Sequence, residues 1–573
     1  MDRSAVSSSP ERGHLLYRRS NSYQQKNVSP GLVCLMLAIA LERITFYIVT
    51  SNMADFFANV VAVNDTQTSV KTYLVFTGTA DFLPLIGGMI GDSMISRYVC
   101  TLIGFLIEAV GSVFLLILMA INDELPKVLL TAGDYGLIFT GLTLMAIGLG
   151  FHRVNALTVG CRQVCQHTDQ KDNVKAVERF FRGYYWVTNI GSLIAFIITA
   201  IAESTQKDSK KHGRHKPAYY LGIIQTVTLF LGVFFIIVGK RWYIRTTPDG
   251  GNLRNLSHSF FRKCTFFIRY IRRKSTAMFT NTGSSQQHQQ NTEDEILAHI
   301  FRIILVTSSL IMFQIIYSLE LGSIFFLQGQ VMNYHIESAT IPIQITRSFD
   351  PITIIMVLPL IHFLITPCLA SRARNVPLLK RMGAGLLFGC ASAVACGVVE
   401  TVRHHYFAHC SSTCFSIFWQ VPQFVFLSLG EIFVIITSYQ FMYLESPPNL
   451  QGLVIGLGFC LRALGGYLAQ VLLVIINAAA PKWYPDHFDD SQQHVEYFLY
   501  LLAGLQLLFF LIFTWHAHVY HYKYLYKETE GNATSTPTCR SPIQSGFHNS
   551  YSSLGSLSMN SQDSLDSLLP RGH

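Results

Sequence analysis

The chain has 573 residues, half of them hydrophobic and only 13% charged, with 43 Lys and Arg against 34 Asp and Glu. Apolar stretches of about 20 residues recur along almost its whole length, which excludes both a water-soluble domain with a single core and a disordered chain. The net charge of +9 concentrates in segments between and beyond these stretches, where anionic lipid is a better partner than nucleic acid.

Residues 1–28 are rich in Ser and Arg and have no apolar centre, so no cleavable signal peptide is expected and the first span must direct insertion itself. Within this cytosolic, disordered tail "ERGHLL" fits the acidic dileucine pattern read by sorting adaptors, with Glu11, Leu15 and Leu16 as its elements. The apolar runs predict twelve transmembrane helices, at about 31–60, 69–92, 98–121, 135–158, 179–202, 218–239, 299–327, 349–370, 383–402, 416–443, 452–478 and 497–520. The fold expected is an all-α membrane protein with a six-helix half at 29–239, a basic linker at 240–298, a second six-helix half at 299–520 and a disordered Ser-rich tail at 521–573. An even number of spans puts both termini on one side. The positive-inside bias of Lys240 to Lys274 makes that side the cytosol.

Asn64-Asp65-Thr66 is a glycosylation acceptor at Asn64 in the first loop, outside or in a lumen on this topology. The basic loop from Lys207 to Lys216 falls on the same side and runs mildly against the bias. Residues 275–295 have the composition of a flexible linker. Twelve cysteines show no metal-ligand spacing and are read as small buried hydrophobes; Cys410 and Cys414 are the one pair in a non-cytosolic loop that a bridge would suit. No nucleophile with its base, zinc spacing or phosphate loop occurs in a cytosolic segment, which argues against an enzyme, a metal or an organic cofactor.

Ionisable residues inside the spans carry the functional signal, because a charge at a helix centre in lipid costs about 2.5 to 3.5 kcal/mol or more. They are Glu42 and Arg43 in the first span, Asp81 in the second, Arg153 in the fourth, Glu320 in the seventh, His362 in the eighth and Glu431 in the tenth. Asp81 stands 11 residues before Asp92, the acid of the following loop, hence about 16 Å into the bilayer. Each charge has a structural alternative, as half of a helix–helix pair or as a residue snorkelling to an interface; for Asp81 the alternative is a hydrogen bond to a neighbouring Ser, Thr or Asn. Opposite charges on different spans would suit a zwitterionic substrate at the interface of two rocking halves.

Several segments resemble the proton-coupled oligopeptide transporter family, solute carrier family 15 of the major facilitator superfamily. They are "FFRGYYWVTNIGSLI" with Asn189, Gly191 and Ser192; "WQVPQFVFLSLGEIFVIITSYQFMYLESPP" with Gln423, Glu431 and Tyr443; "GGMIGDSMISRY"; "PLLKRMGAGLL"; and "RWYIRTTPDGGN". The first span keeps the family's Glu-Arg pair as Glu42 and Arg43 and its final aromatic as Tyr47, with Ile39 at the first Glu position. The resemblance implies that this pair and Arg153 grip a substrate carboxylate, and that Glu431 receives the amino group, with Tyr47 and Asn189 beside them.

Coupling positions depart from the pattern, with Leu74 for a His, Leu319 for an acid and Arg162 for an Asp. Glu320, the neighbour of Leu319, points about 100° away. Proton coupling therefore falls to Glu42, Asp81, Glu431 or Glu320, with protons the only coupling ion implied. The expected function is secondary active transport of di- or tripeptides or histidine by alternating access. The alternative is a transporter-like sensor or scaffold that recruits cytosolic signalling partners. The dileucine pattern favours an endolysosomal membrane over the plasma membrane.

Overall fold

The computed structural model describes residues 29–522 apart from 61–65, 123–131, 167–172, 213–216, 245–247, 249–283, 334, 337–338, 341–342, 362–376, 408–414 and 485–492. The dileucine pattern, Asn64, His362, Cys410, Cys414, most of the basic linker and the Ser-rich tail lie outside the described residues.

The amino-terminal half is built from α1 (Pro30–Val60), α2 (Thr66–Ser93), α3 (Arg97–Asn122), α4 (Ala132–Gln166), α5 (Asn173–His212) and α6 (Pro217–Gly239). The carboxy-terminal half begins with α7 (Ser284–Ser308) and α8 (Ile311–Leu319), continues through a π-helical turn at Glu320–Ile324 into α9 (Phe325–Gln330), then a two-residue-stranded hairpin (His335–Ile336 with Ala339–Thr340). It is completed by α10 (Phe349–Leu360), α11 (Leu378–Phe407), α12 (Val421–Glu431), a second π-helical turn at Ile432–Ile436, α13 (Thr437–Glu445), α14 (Gln451–Ala479) and α15 (Val495–Val519). Helices suit these sequences because, in lipid, every backbone donor must be satisfied within its own segment.

Ten helical segments among the described residues are long and apolar enough to cross a membrane, where twelve are predicted. The two that fall short are α2 and α10. Helix α2 has the length, 28 residues, and is diluted by Asp81, Asp92 and several threonines. Helix α10 is described over only 12 residues. The linker expectation also changes, since helix α7 starts at Ser284, well inside the stretch read as flexible.

The two halves meet along α2 against α14 and α5 against α10. One apolar cluster joins them, with Val154, Leu157 and Phe180 of the first half packed among Ile303, Tyr443 and Val454 of the second. The remaining large clusters each stay within one half. Polar ties cross at that same end. Arg381 Nη1 donates to Glu178 at 2.7 Å, Arg162 Nη2 to the Pro448 carbonyl at 2.8 Å, and the Leu453 amide to Asp92 at 2.8 Å. These polar ties gather at the end carrying the α2–α3 turn.

Small residues set how closely the helices approach, as is usual where lipid supplies no hydrophobic drive. A Cβ on Gly148 would fall 2.6 Å from the Gly104 carbonyl and 2.7 Å from Glu108 Cβ, so α3 and α4 touch backbone to backbone there. Gly148→Val should lower the thermal unfolding midpoint of the purified protein, by an overpacking cost of about 1 to 3 kcal/mol. Gly136→Ala, where a Cβ meets nothing within 4 Å, should leave the midpoint unchanged or slightly raised.

Candidate site between the two halves

The π-helical turns fall immediately at Glu320 and after Glu431, so the two acids of the carboxy-terminal half sit where the helical register slips. Such bulges re-aim side chains and occur often at functional sites. Their outcomes differ. Glu320 is fully buried inside its own half, accepting from Ser392 Oγ at 2.6 Å, with Oε1 lacking a donor among the described residues. Glu431 faces the other half. Its Oε1 accepts the hydroxyl of Tyr185 from α5, and that of Tyr317 from α8 at 3.2 Å.

Glu431 has a second neighbour that the sequence reading passed over. Asp350, at the start of α10, lies within electrostatic reach of the Glu431 carboxyl and accepts from Ser428 Oγ at 2.6 Å. Glu431 Oε2 is buried and has no hydrogen-bond partner among the described residues. This is the acidic pole of the interface.

The basic pole comes mainly from the amino-terminal half. Arg43 forks Glu42, with Nε at 2.6 Å from Oε2 and Nη2 on Oε1. Arg153 donates Nη1 to Asp81 Oδ1 at 2.8 Å. Both guanidinium groups lie over the Phe46 ring, at 4.7 and 4.4 Å from its centroid. The ring lets two like charges share a dry site, because each gains from the negative face of the same π system. Arg153 thus joins Glu42 and Arg43 through an aromatic ring; its direct carboxylate partner is Asp81.

Asp81 also takes a cation from the opposite half. Arg462 of α14 donates Nε to Oδ2 at 2.8 Å and Nη2 to Oδ1 at 2.7 Å. The structural alternative expected for Asp81, a hydrogen bond to Ser, Thr or Asn, is not what forms; two arginines from two halves do. Arg153, only 3% exposed, is left with Nε and Nη2 buried and without a hydrogen-bond partner among the described residues. Those two N–H groups lie on one edge of the guanidinium, the edge that a carboxylate engages side-on.

Tyr47 stands between the poles, within electrostatic reach of Arg43, Glu431, Arg462 and Asp350, with its ring against Phe46 and Phe196. Asn189 turns its amide back to the Tyr185 carbonyl at 2.9 Å and lines the same helix face region through α5. Gly191, two residues on, lets α5 pass over α1, since a Cβ there would lie 2.7 Å from the Ala40 carbonyl and 2.9 Å from Arg43 Cβ.

Arg462, Asp350, Glu108 and His152 are the ionisable residues that sequence reasoning missed. Arg462 and Glu108 interrupt apolar runs, so the rule that singled out Asp81 applies equally to them. Among the described residues, two groups have ligating atoms within 4.8 Å of one another, Glu42 with Glu108 and His152, and His404 with His494 and Glu496. The first already faces the Arg43 cation, which disfavours a metal there.

Asp81→Asn leaves two arginines without their shared counter-ion, and removing one partner of a buried pair costs about 3 to 5 kcal/mol. It should lower the unfolding midpoint strongly. Arg462→Gln alone should cost less, since Arg153 still neutralises Asp81, and the double variant should recover part of the Asp81→Asn loss. Thermal unfolding of the four proteins in detergent measures this, and strictly additive losses would contradict the pairing.

The description "PTR2: POT family" matches residues 98–486 of the chain. Protein NRT1/PTR family 8.1 of Arabidopsis thaliana is 25% identical over 540 residues, covering 84% of this chain and 92% of its own. Solute carrier family 15 member 3 of Rattus norvegicus is 23% identical over 553 residues, covering 85% and 90%. Among solved structures, an auto inhibited POT family peptide transporter superposes with a TM-score of 0.64 at 17% identity, covering 87% of this chain and 98% of that one. A peptide transporter POT in complex with sulfate gives 0.59 at 14%, covering 86% and 96%. The chain is an all-helical, multi-pass membrane protein and a transporter rather than an enzyme, and it belongs to the POT family.

Proposed function

We propose that the chain is a secondary active transporter of small zwitterions, di- or tripeptides or histidine, driven by protons and working by alternating access of two six-helix halves. The observation that supports this most is the free edge of Arg153. A buried guanidinium with two unused donors is costly, and a substrate carboxylate supplies what it lacks. The amine of the same substrate would turn to the acidic pole, where Glu431 and Asp350 share too little positive charge. Solved relatives in complex with a thioalcohol conjugated peptide and with 5-aminolevulinic acid accord with that substrate class.

On the topology read from basic residues, the end tied by Arg381, Arg162 and Asp92 faces the cytosol. The dileucine pattern at Glu11 to Leu16 favours an endolysosomal membrane, where an acidic lumen would supply protons.

Arg153→Gln should weaken binding of dialanine by about ten- to a hundredfold, the worth of a charged, bidentate hydrogen bond. Glu431→Gln should weaken dialanine and leave N-acetyl-dialanine, which has no free amine, unchanged. Ligand-induced thermal shifts on purified protein read both. Unchanged dialanine affinity in Arg153→Gln would remove the assignment.

A further inference from the structure

Three titratable side chains from three helices meet next to the basic pole without belonging to it. They are Glu42 of α1, Glu108 of α3 and His152 of α4, exposed by 1%, 0% and 2%. His152 Nε2 lies 2.9 Å from Glu108 Oε2 and 3.9 Å from Glu42 Oε1. The Phe105 ring closes the imidazole off at 4.5 Å between centroids. Glu108 Oε1 has no hydrogen-bond partner among the described residues.

The charges decide what this cluster holds. Arg43 already neutralises Glu42. That leaves Glu108 and His152 as a pair which is neutral only when it holds one proton, either as carboxylate with imidazolium or as carboxylic acid with imidazole. Without that proton a bare carboxylate sits at a fully buried position inside the membrane domain, at a cost of several kcal/mol. The other charged or titratable groups facing the cluster are Arg153, next in sequence to His152; Asp81 of α2, through Arg153; and the Tyr184 hydroxyl of α5, within reach of Glu42 and Arg43.

We propose that Glu108 and His152 form a buried proton site, with Glu42 as the alternative acceptor, that carries the coupling proton of this transporter. The proton sits between His152 Nε2 and Glu108 Oε2, and on transfer it moves from Nε2 to Glu42 Oε1 while the Arg43 guanidinium turns from Glu42 to the Glu108 carboxylate, so that each charge keeps a partner. No electron or covalent bond to a heavy atom is involved. Glycine packing of α3 on α4 at Gly104 and Gly148 fixes the first pair rigidly, whereas Glu42 approaches on a separate helix. Adjacency to Arg153 supplies the link to substrate, because capture of a carboxylate there shifts the same turn of α4. The coupling role rests on the proton-driven transport proposed above; the existence of the proton site does not.

The test counts protons and needs no substrate. Purified full-length protein in weakly buffered detergent solution is taken from alkaline to acid pH, and bound protons are read with a pH indicator for wild type, Glu108→Gln, His152→Gln and the double variant. Each single variant should bind about one proton fewer than wild type, because a lone buried imidazole stays neutral and a lone buried carboxyl stays protonated. The double variant should lose no more than either single, since the proton is shared. Equal counts in all four proteins, or losses that add in the double variant, would overturn the site. Monodisperse elution establishes folding, and if a glutamine variant aggregates, Glu108→Asn or His152→Asn takes its place. Failure of wild type to bind dialanine would count against the proposed function and leave the proton count to stand or fall alone.

Discussion

Asp81 holds arginines from both halves of the molecule at once, and much of the interior is arranged around that fact. A carboxylate at this depth needs a cation, and a buried arginine needs a carboxylate even more. With Arg153 on one side and Arg462 on the other, Asp81 satisfies itself and ties α2 and α4 to α14. It does so without using the full hydrogen-bonding capacity of Arg153, and the leftover donors become the most unsatisfied positive group of the site. Substrate recognition, on this account, follows from incomplete pairing.

The opposite pole shows the same economy in acid form. Glu431 draws one tyrosine hydroxyl from each half and still has a buried oxygen without a hydrogen-bond partner among the described residues, with Asp350 within electrostatic reach, so negative charge is concentrated and only partly compensated. Tyr47 sits between the two poles. At one end of the bundle the halves are tied by the partly exposed Glu178–Arg381 pair, a contact of modest strength, and by the buried Asp92, which accepts from the Leu453 amide. The exposed tie can be made and broken at little cost.

The class of the fold was legible in the sequence because lipid imposes a length and a composition on every span. Glu42, Arg43, Asp81, Arg153 and Glu431 were legible for the related reason that charge in an apolar run is expensive. Pairing was not. Nothing in the spacing of Asp81 tells that its partners are Arg153, 72 positions on, and Arg462, 381 positions on. Arg462 and Glu108 were visible as charges and were passed over, since motif resemblance drew attention to α1, α4 and α12. The helix beginning at Ser284 escaped because its first turns are polar and read as linker.

The central claim is that one small molecule satisfies both poles together. Isothermal titration of the wild-type protein with dialanine, N-acetyl-dialanine and dialanine amide tests it directly. The account predicts binding of free dialanine, with each blocked form weaker by about tenfold or more, the worth of one charged hydrogen bond. Equal affinity for all three compounds would contradict it.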